Sequence, residues 1–199
     1  MLIAINQFRA NISHVRNLQA IYEAFSSRTT TALDLSDLLR AQIVMCVSAL
    51  DHYIHEVTQI GIIEIFESKR PSTDAFGKFT VSLDGALQGI KSKNSDWLDS
   101  EIRKRHGFLS FQHPDKIADA IRLIKDIKLW QDVGTKMGMK PEDIKRQLQL
   151  IIERRNKIAH EADIDPTYPG SRWPINIVMA KDATDFIEQL CETIHSLIA

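Results

Sequence analysis

Apolar residues recur along this chain at steps of three and four, the spacing that lays one face of a helix against a core. Ile5, Phe8, Ile12, Val15, Leu18, Ile21, Tyr22 and Phe25 predict an amphipathic helix over about residues 2–25. It ends near Ser26-Ser27, and a connector rich in threonine (Thr29, Thr30, Thr31) follows. A second helix is predicted over about residues 33–67, stopped by Arg70-Pro71-Ser72. Its run Ile43-Val44-Met45-Cys46-Val47 is apolar on several sides, which places this helix at the centre of a bundle.

The pattern breaks over residues 71–113, where Gly77, Gly85, Gly89 and Gly107 interrupt it. We expect an irregular insertion there, with short helices at about 83–90 and 96–104. Phe76, Phe79, Trp97, Phe108 and Phe111 would pin it to the core. Pro114 opens another helix, with Ile117, Ala118, Ile121, Ile124 and Leu129 spaced for burial; Gly134 and Gly138 weaken or end the helical segment after Trp130. The next helix starts at Pro141, with Glu142 and Asp143 suited to its positive end. On it, Ile144, Leu148, Ile151, Arg155 and Ile158 share one stripe. That sets a permanent cation in line with the apolar face, where burial would demand a partner. A long loop follows at 162–174, with Pro166, Pro169, Gly170 and Pro174 in it and Tyr168, Arg172 and Trp173 placed to edge a cleft. Asp182, with Asp185 three residues later, is expected to cap the last helix, whose Phe186, Leu190, Ile194 and Leu197 return to the core.

At 199 residues the chain suits one domain, 1–199, and is short for two. Lys plus Arg is 25 and Asp plus Glu is 26, so any nucleic-acid site must be a local patch. Lys145, Arg146, Arg154, Arg155 and Lys157 form one candidate; the run Arg103 to His106 reads as a solvated helix face. Cys46 and Cys191 sit in apolar helical context and read as core residues, which fits a reducing cytoplasm. No apolar run is long enough to span a bilayer, and the first ten residues lack signal-peptide features.

The chemistry concentrates in Arg154-Arg155-Asn156-Lys157-Ile158-Ala159-His160-Glu161. Arg stays charged and suits phosphate oxygens through paired N–H donors, and His can transfer protons near neutral pH. Asn156 and His160 are four apart and share a helix face. Arg155 and His160 are five apart, so an ideal helix turns them roughly 140° from each other. Either the helix is disturbed near His160, or Arg155 and His160 of two subunits meet across a two-fold axis.

Rival constellations are weaker. Arg9 and His14 repeat the spacing, but Ala10 follows Arg9, and the pair reads as a surface coincidence. Asp51-His52-Tyr53-Ile54-His55-Glu56 fails as a zinc helix because Gln59 stands four residues after His55; it reads as an internal hydrogen-bonded cluster. Glu192 and His195 have one half of a di-iron spacing that needs two, and read as a surface pair.

Arg155, Asn156 and, after three residues, His160 resemble the Arg-x(4–6)-His motif of HEPN domains, in the variant with a polar residue after the Arg. Leu38-Leu39-Arg40-Ala41-Gln42 and Val47 to Tyr53 are similar to the second helix of the RiboL-PSP-type HEPN group. Glu161-Ala162-Asp163 and Trp173-Pro174-Ile175 are similar to the segment after its motif. The resemblance implies an all-α HEPN-like bundle with a long central helix and a C-terminal motif helix pair. It implies a metal-independent endoribonuclease without a cofactor, often a toxin or effector in toxin–antitoxin or antiviral defence. The 2′-OH would attack the adjacent phosphate to leave a 2′,3′-cyclic end, with His160 as general acid or base, Arg155 on the phosphate and Asn156 orienting either. The implied partners are RNA, a second copy forming a composite site, and an antitoxin or regulatory protein; no membrane is implied. Some HEPN toxins carry a Tyr two residues after the His that a partner nucleotidyltransferase modifies. Ala162 occupies that position here, which speaks against that route of inhibition. A non-catalytic helical scaffold is the other reading.

Overall fold

The computed structural model describes residues 1–199 apart from residues 29, 31, 32, 93 and 169. Thr29 and Thr31 of the connector, and Pro169 of the loop, therefore lie outside the described residues. The described residues are mainly helical, with no strand; a single isolated bridge joins Ile164 and Arg172.

The long second helix, α2 (Ser36–Phe66), is the axis of the bundle, as its all-round apolar character requires. The first helix, α1 (Leu2–Ser26), lies along it and buries Ile5, Phe8, Ile12 and Val15. Past Val15 the expected stripe leaves the core: Ile21 and Phe25 are exposed. Tyr22 instead joins a small second cluster.

The segment at 71–113 holds three helices, α3 (Asp74–Gly77), α4 (Leu83–Lys91) and α5 (Asp96–His106). Thr73 and Ser82 start the first two by accepting from the Phe76 and Gly85 amides. Phe76, Phe79 and Trp97 pack against the core and Phe111 is buried. Phe108, expected inside, is 93% exposed. It follows Gly107 in the turn after α5, and its neighbour His106 points inward in its place, edge-on to the rings of Phe79 and Phe111.

The helix from Pro114 is two helices. α6 (Pro114–Ile124) buries Ile117, Ile121 and Ile124, then Lys125 turns extended. Leu129 opens α7 (Leu129–Met137), which Gly138 ends in the left-handed conformation at φ 67°. α8 (Pro141–His160) and α9 (Ile177–Ile198) complete the bundle, and both pack on α2. α9 begins earlier than expected. Asn176, not Asp182, caps it, accepting from the Met179 amide at 2.9 Å. The added turns bury Ala180 against Leu39 and Ile43, and Asp185 pairs with Arg16 and Lys181 instead of closing a capping box.

The second cluster gathers Leu39, Ile43 and Ala180 with Tyr22, Ile158, Ile175 and Ile177. It joins the start of α2, the end of α8 and the start of α9, and there the Arg–His motif stands.

Candidate active site

α8 enters the core through Ile144, Leu148 and Ile152, one residue every four. Ile151, expected on this stripe, is only partly buried. Ile144 and Leu148 are buried as expected, and Ile152 rather than Ile151 continues the stripe. Arg155 stands half-buried at its edge, while Arg154 reaches inside.

Arg154 meets a carboxylate there. Its Nη2 donates to Asp163 Oδ2 at 2.8 Å and to the carbonyls of Trp173 and Pro174 at 3.1 and 3.2 Å. Arg40 of α2 approaches the same oxygen, Nε to Oδ2 at 2.7 Å, and its other nitrogens donate to Ser36 Oγ and the Trp173 carbonyl. Asp163 is 1% exposed and Arg40 6%. Two guanidinium groups sharing one carboxylate is the kind of pairing that buried charge requires. Burial lowers the Arg154 pKa from its usual value; Asp163 opposes the shift and Arg40 adds to it. Even so, an Arg remains charged. The node ties α2, α8 and the post-motif loop together.

The motif's other polar groups stay out of it. Among the described residues, Arg155, Asn156 and His160 have no side-chain hydrogen bond and no ion pair. Arg155 and Asn156 are half-buried and His160 is exposed. Lys157 lies over the Trp173 ring, its Nζ 4.7 Å from the centroid. α8 is continuous through His160, and the Glu161 amide still bonds to Lys157 O at 3.0 Å. The helix is thus undisturbed at the motif. Asn156 and His160 share a face, while Arg155 and His160 of one chain diverge by roughly 140° and about 7.5 Å along the axis.

The rest of the candidate basic patch is spent locally: Lys145 pairs with Glu142 and Arg146 with Asp143. On the loop, Arg172 pairs with Asp34 and Asp37, and Tyr168 is exposed.

The rival constellations find structural uses. Arg9 grips Glu192 with two nitrogens, at 2.6 and 2.8 Å, which accounts for both the decoy Arg and the Glu192–His195 spacing. Asp51 accepts from the Phe111 amide at 2.6 Å, and His55 Nε2 lies 3.2 Å from Leu109 O, so this cluster pins the chain after α5. It sits about 16 Å along α2 from Arg40 and does not support the motif. In the run 103–106, Arg103, Lys104 and Arg105 are exposed on α5 and bond to Asp99, Glu101 and Thr80. His106 is buried, and burial first, then His55 and Arg105, pulls its pKa down to about 4. Cys46 and Cys191 are buried free thiols, and burial pushes the Cys46 pKa up to about 12. Among the described residues, no three His, Cys, Asp or Glu side chains are grouped to hold a metal ion, and no helix is long and apolar enough to cross a membrane.

The sequence pointed to Arg155, Asn156 and His160 as candidates and gave no place to the contacts of Arg40 and Arg154 with Asp163. A signal for Arg40 was present: a permanent charge flanked by Leu38, Leu39, Ile43 and Val44 on a central helix calls for a buried partner.

No curated protein and no solved structure matches the chain. The profile of the RiboL-PSP-HEPN family matches residues 9–199, which takes in all nine described helices in whole or in part. An all-helical bundle with an Arg-Asn-x(3)-His motif closing its penultimate helix thus belongs to the RiboL-PSP-HEPN family.

Proposed function

We propose that this protein is a metal-independent endoribonuclease that cleaves RNA at a composite site built by two copies of the chain. One observation carries the reading. Of the motif's side chains, Arg154 and Lys157 are engaged with the protein itself, while Arg155, Asn156 and His160 keep their polar groups unengaged among the described residues. A side chain half-buried at the end of an anchored helix, with its donors free, is arranged to meet something outside the chain.

Because α8 is straight, Arg155 and His160 of one chain face different directions, and a two-fold axis beside the motif helices brings Arg155 of one copy opposite His160 of the other. The ribose 2′-oxygen attacks phosphorus as a base removes its proton. The P–O5′ bond breaks, and the 5′-oxygen takes up a proton as it leaves. His160 serves in these proton transfers, and Arg155 donates to the phosphate oxygens as charge grows on them. Asn156, on the His160 face, orients the imidazole or the phosphate. The products are a 2′,3′-cyclic phosphate and a 5′-OH; DNA lacks the nucleophile and is not cut. A small RNase of this kind fits a toxin or defence effector in the cytoplasm, held in check by an antitoxin or regulatory protein.

The test is cleavage of mixed RNA by purified protein in the presence of a chelator, with the product ends identified. His160→Ala should lower the rate by about 10²–10⁴-fold. Arg155→Ala should be strongly impaired, and Arg155→Lys should restore it only in part, because Lys lacks the planar fork. Arg9→Ala and His14→Ala should cut normally. Mixing Arg155→Ala with His160→Ala subunits should recover about a quarter of wild-type activity, since half the dimers then hold one intact site of two. No recovery would place the site within one chain. A wild-type protein that cuts no RNA would leave the scaffold reading in its place.

A further inference from the structure

The motif end of α8 is held by charge more than by core. Ile152 is the last buried residue of the helix, and His160 stands two turns beyond it. Over those turns Ile158 is only partly buried, and Arg154 is the side chain that reaches inside. Just past His160 the chain reverses through Ala162 and Asp163, both left-handed, at φ 50° and 59°. Two successive non-glycine residues in this conformation persist only where their surroundings over-determine them. Asp163 supplies that constraint. Its amide donates to Lys157 O at 2.9 Å, its carbonyl accepts from the Trp173 amide at 2.8 Å, and its carboxylate takes Arg40 and Arg154 together. His160 is thus bracketed by two tethers, Arg154 six residues before it and Asp163 three after, both ending on one buried oxygen.

We propose that Asp163, gripped by Arg40 and Arg154, is a positioning residue for His160: it sets the rotation and exit of the last turn of α8, and so the place of the imidazole. The inference rests on reading His160 as the proton-transfer group. Asp163 is buried and touches no substrate; it acts through the backbone. A misplacement of about 1 Å at a reacting group can cost about 10²-fold in rate, so the node's effect belongs in kcat.

Two variants test this in the full-length protein. Asp163→Asn keeps the shape and tolerates the left-handed backbone, but removes the negative charge. Arg40→Lys is milder, acts from another helix, and keeps the charge while losing the fork. Cleavage of an RNA oligonucleotide gives kcat and KM. In parallel, the His160 Cε1 proton is followed by NMR, identified by its absence in His160→Ala. We expect kcat to fall roughly 10–100-fold in both variants with KM within about twofold, helix content unchanged, and the His160 resonance displaced in both. Arg9→Ala should leave rate and resonance alone. Folded variants with wild-type kcat and an undisplaced His160 resonance would overturn the proposal. So would a loss of rate matched by the fraction of unfolded protein, which would make the node merely structural. If the wild type cuts no RNA, the ribonuclease reading falls and the resonance alone decides: displaced in both variants supports positioning, undisplaced overturns it.

Discussion

Arg154 and Arg155 are neighbours in sequence, yet their substitution should have opposite consequences. Arg154→Ala removes the donor to Asp163 Oδ2 at 2.8 Å and to two loop carbonyls. Breaking a buried ion pair outright costs about 3–5 kcal/mol, because it strands a charge. Here Arg40 remains on the same oxygen, so the loss is nearer that of one charge-assisted hydrogen bond with its lesser contacts, about 2–3 kcal/mol. For a chain of this size that lowers Tm by about 4–12 °C. Arg155 is half-buried and has no ion pair or hydrogen bond among the described residues. Arg155→Ala should stay within about 0.5 kcal/mol of wild type, a shift of about 2 °C or less, while losing activity. Thermal unfolding followed by circular dichroism at 222 nm reads both. Equal destabilisation by the two variants, or an Arg154→Ala protein as stable as wild type, would refute the assignment of Arg154 to the node and Arg155 to the site.

Two other outcomes rest on particular residues. His106 is buried and its pKa lies near 4, below its ordinary 6.5. As pH falls, the unfolded chain binds this proton first, so stability is full above about 6.5, drains away toward 4, and loses nothing more from this group below that. His106→Leu should lose less Tm than wild type between pH 7 and 4; an equal loss would clear His106 of the effect. Ala162 is exposed and left-handed at φ 50°. That conformation costs a non-glycine residue about 1–2 kcal/mol, and the greater freedom of glycine in the unfolded chain takes back about 0.5–1. Ala162→Gly should therefore raise Tm, by up to about 6 °C, and a fall would show that the reversal is not strained there.

The sequence by itself determined the all-helical character of the chain and the central place of α2. The spacing of Ile5, Phe8, Ile12 and Val15, the all-round apolar run of α2, Pro141 at the start of α8 and Gly138 after α7 are local signals, and each appears as expected. The motif itself was equally legible, because Arg155, Asn156 and His160 lie within one stretch of six residues. Other features depend on contacts between distant segments. Asn176 rather than Asp182 caps α9 because burying Ala180 against Leu39 and Ile43 extends the helix backward. His106 rather than Phe108 enters the aromatic cluster because the turn at Gly107 decides which side chain faces α2. Above all, the sequence set Arg154 and Arg155 side by side in one candidate basic patch. In the packed structure Arg154 meets Asp163, which Arg40 also grips, while Arg155 keeps its donors unengaged among the described residues. Arg40 is separated from Asp163 by 123 positions. Local periodicity carries no information about such a pairing; it exists only once α2, α8 and the loop are packed together.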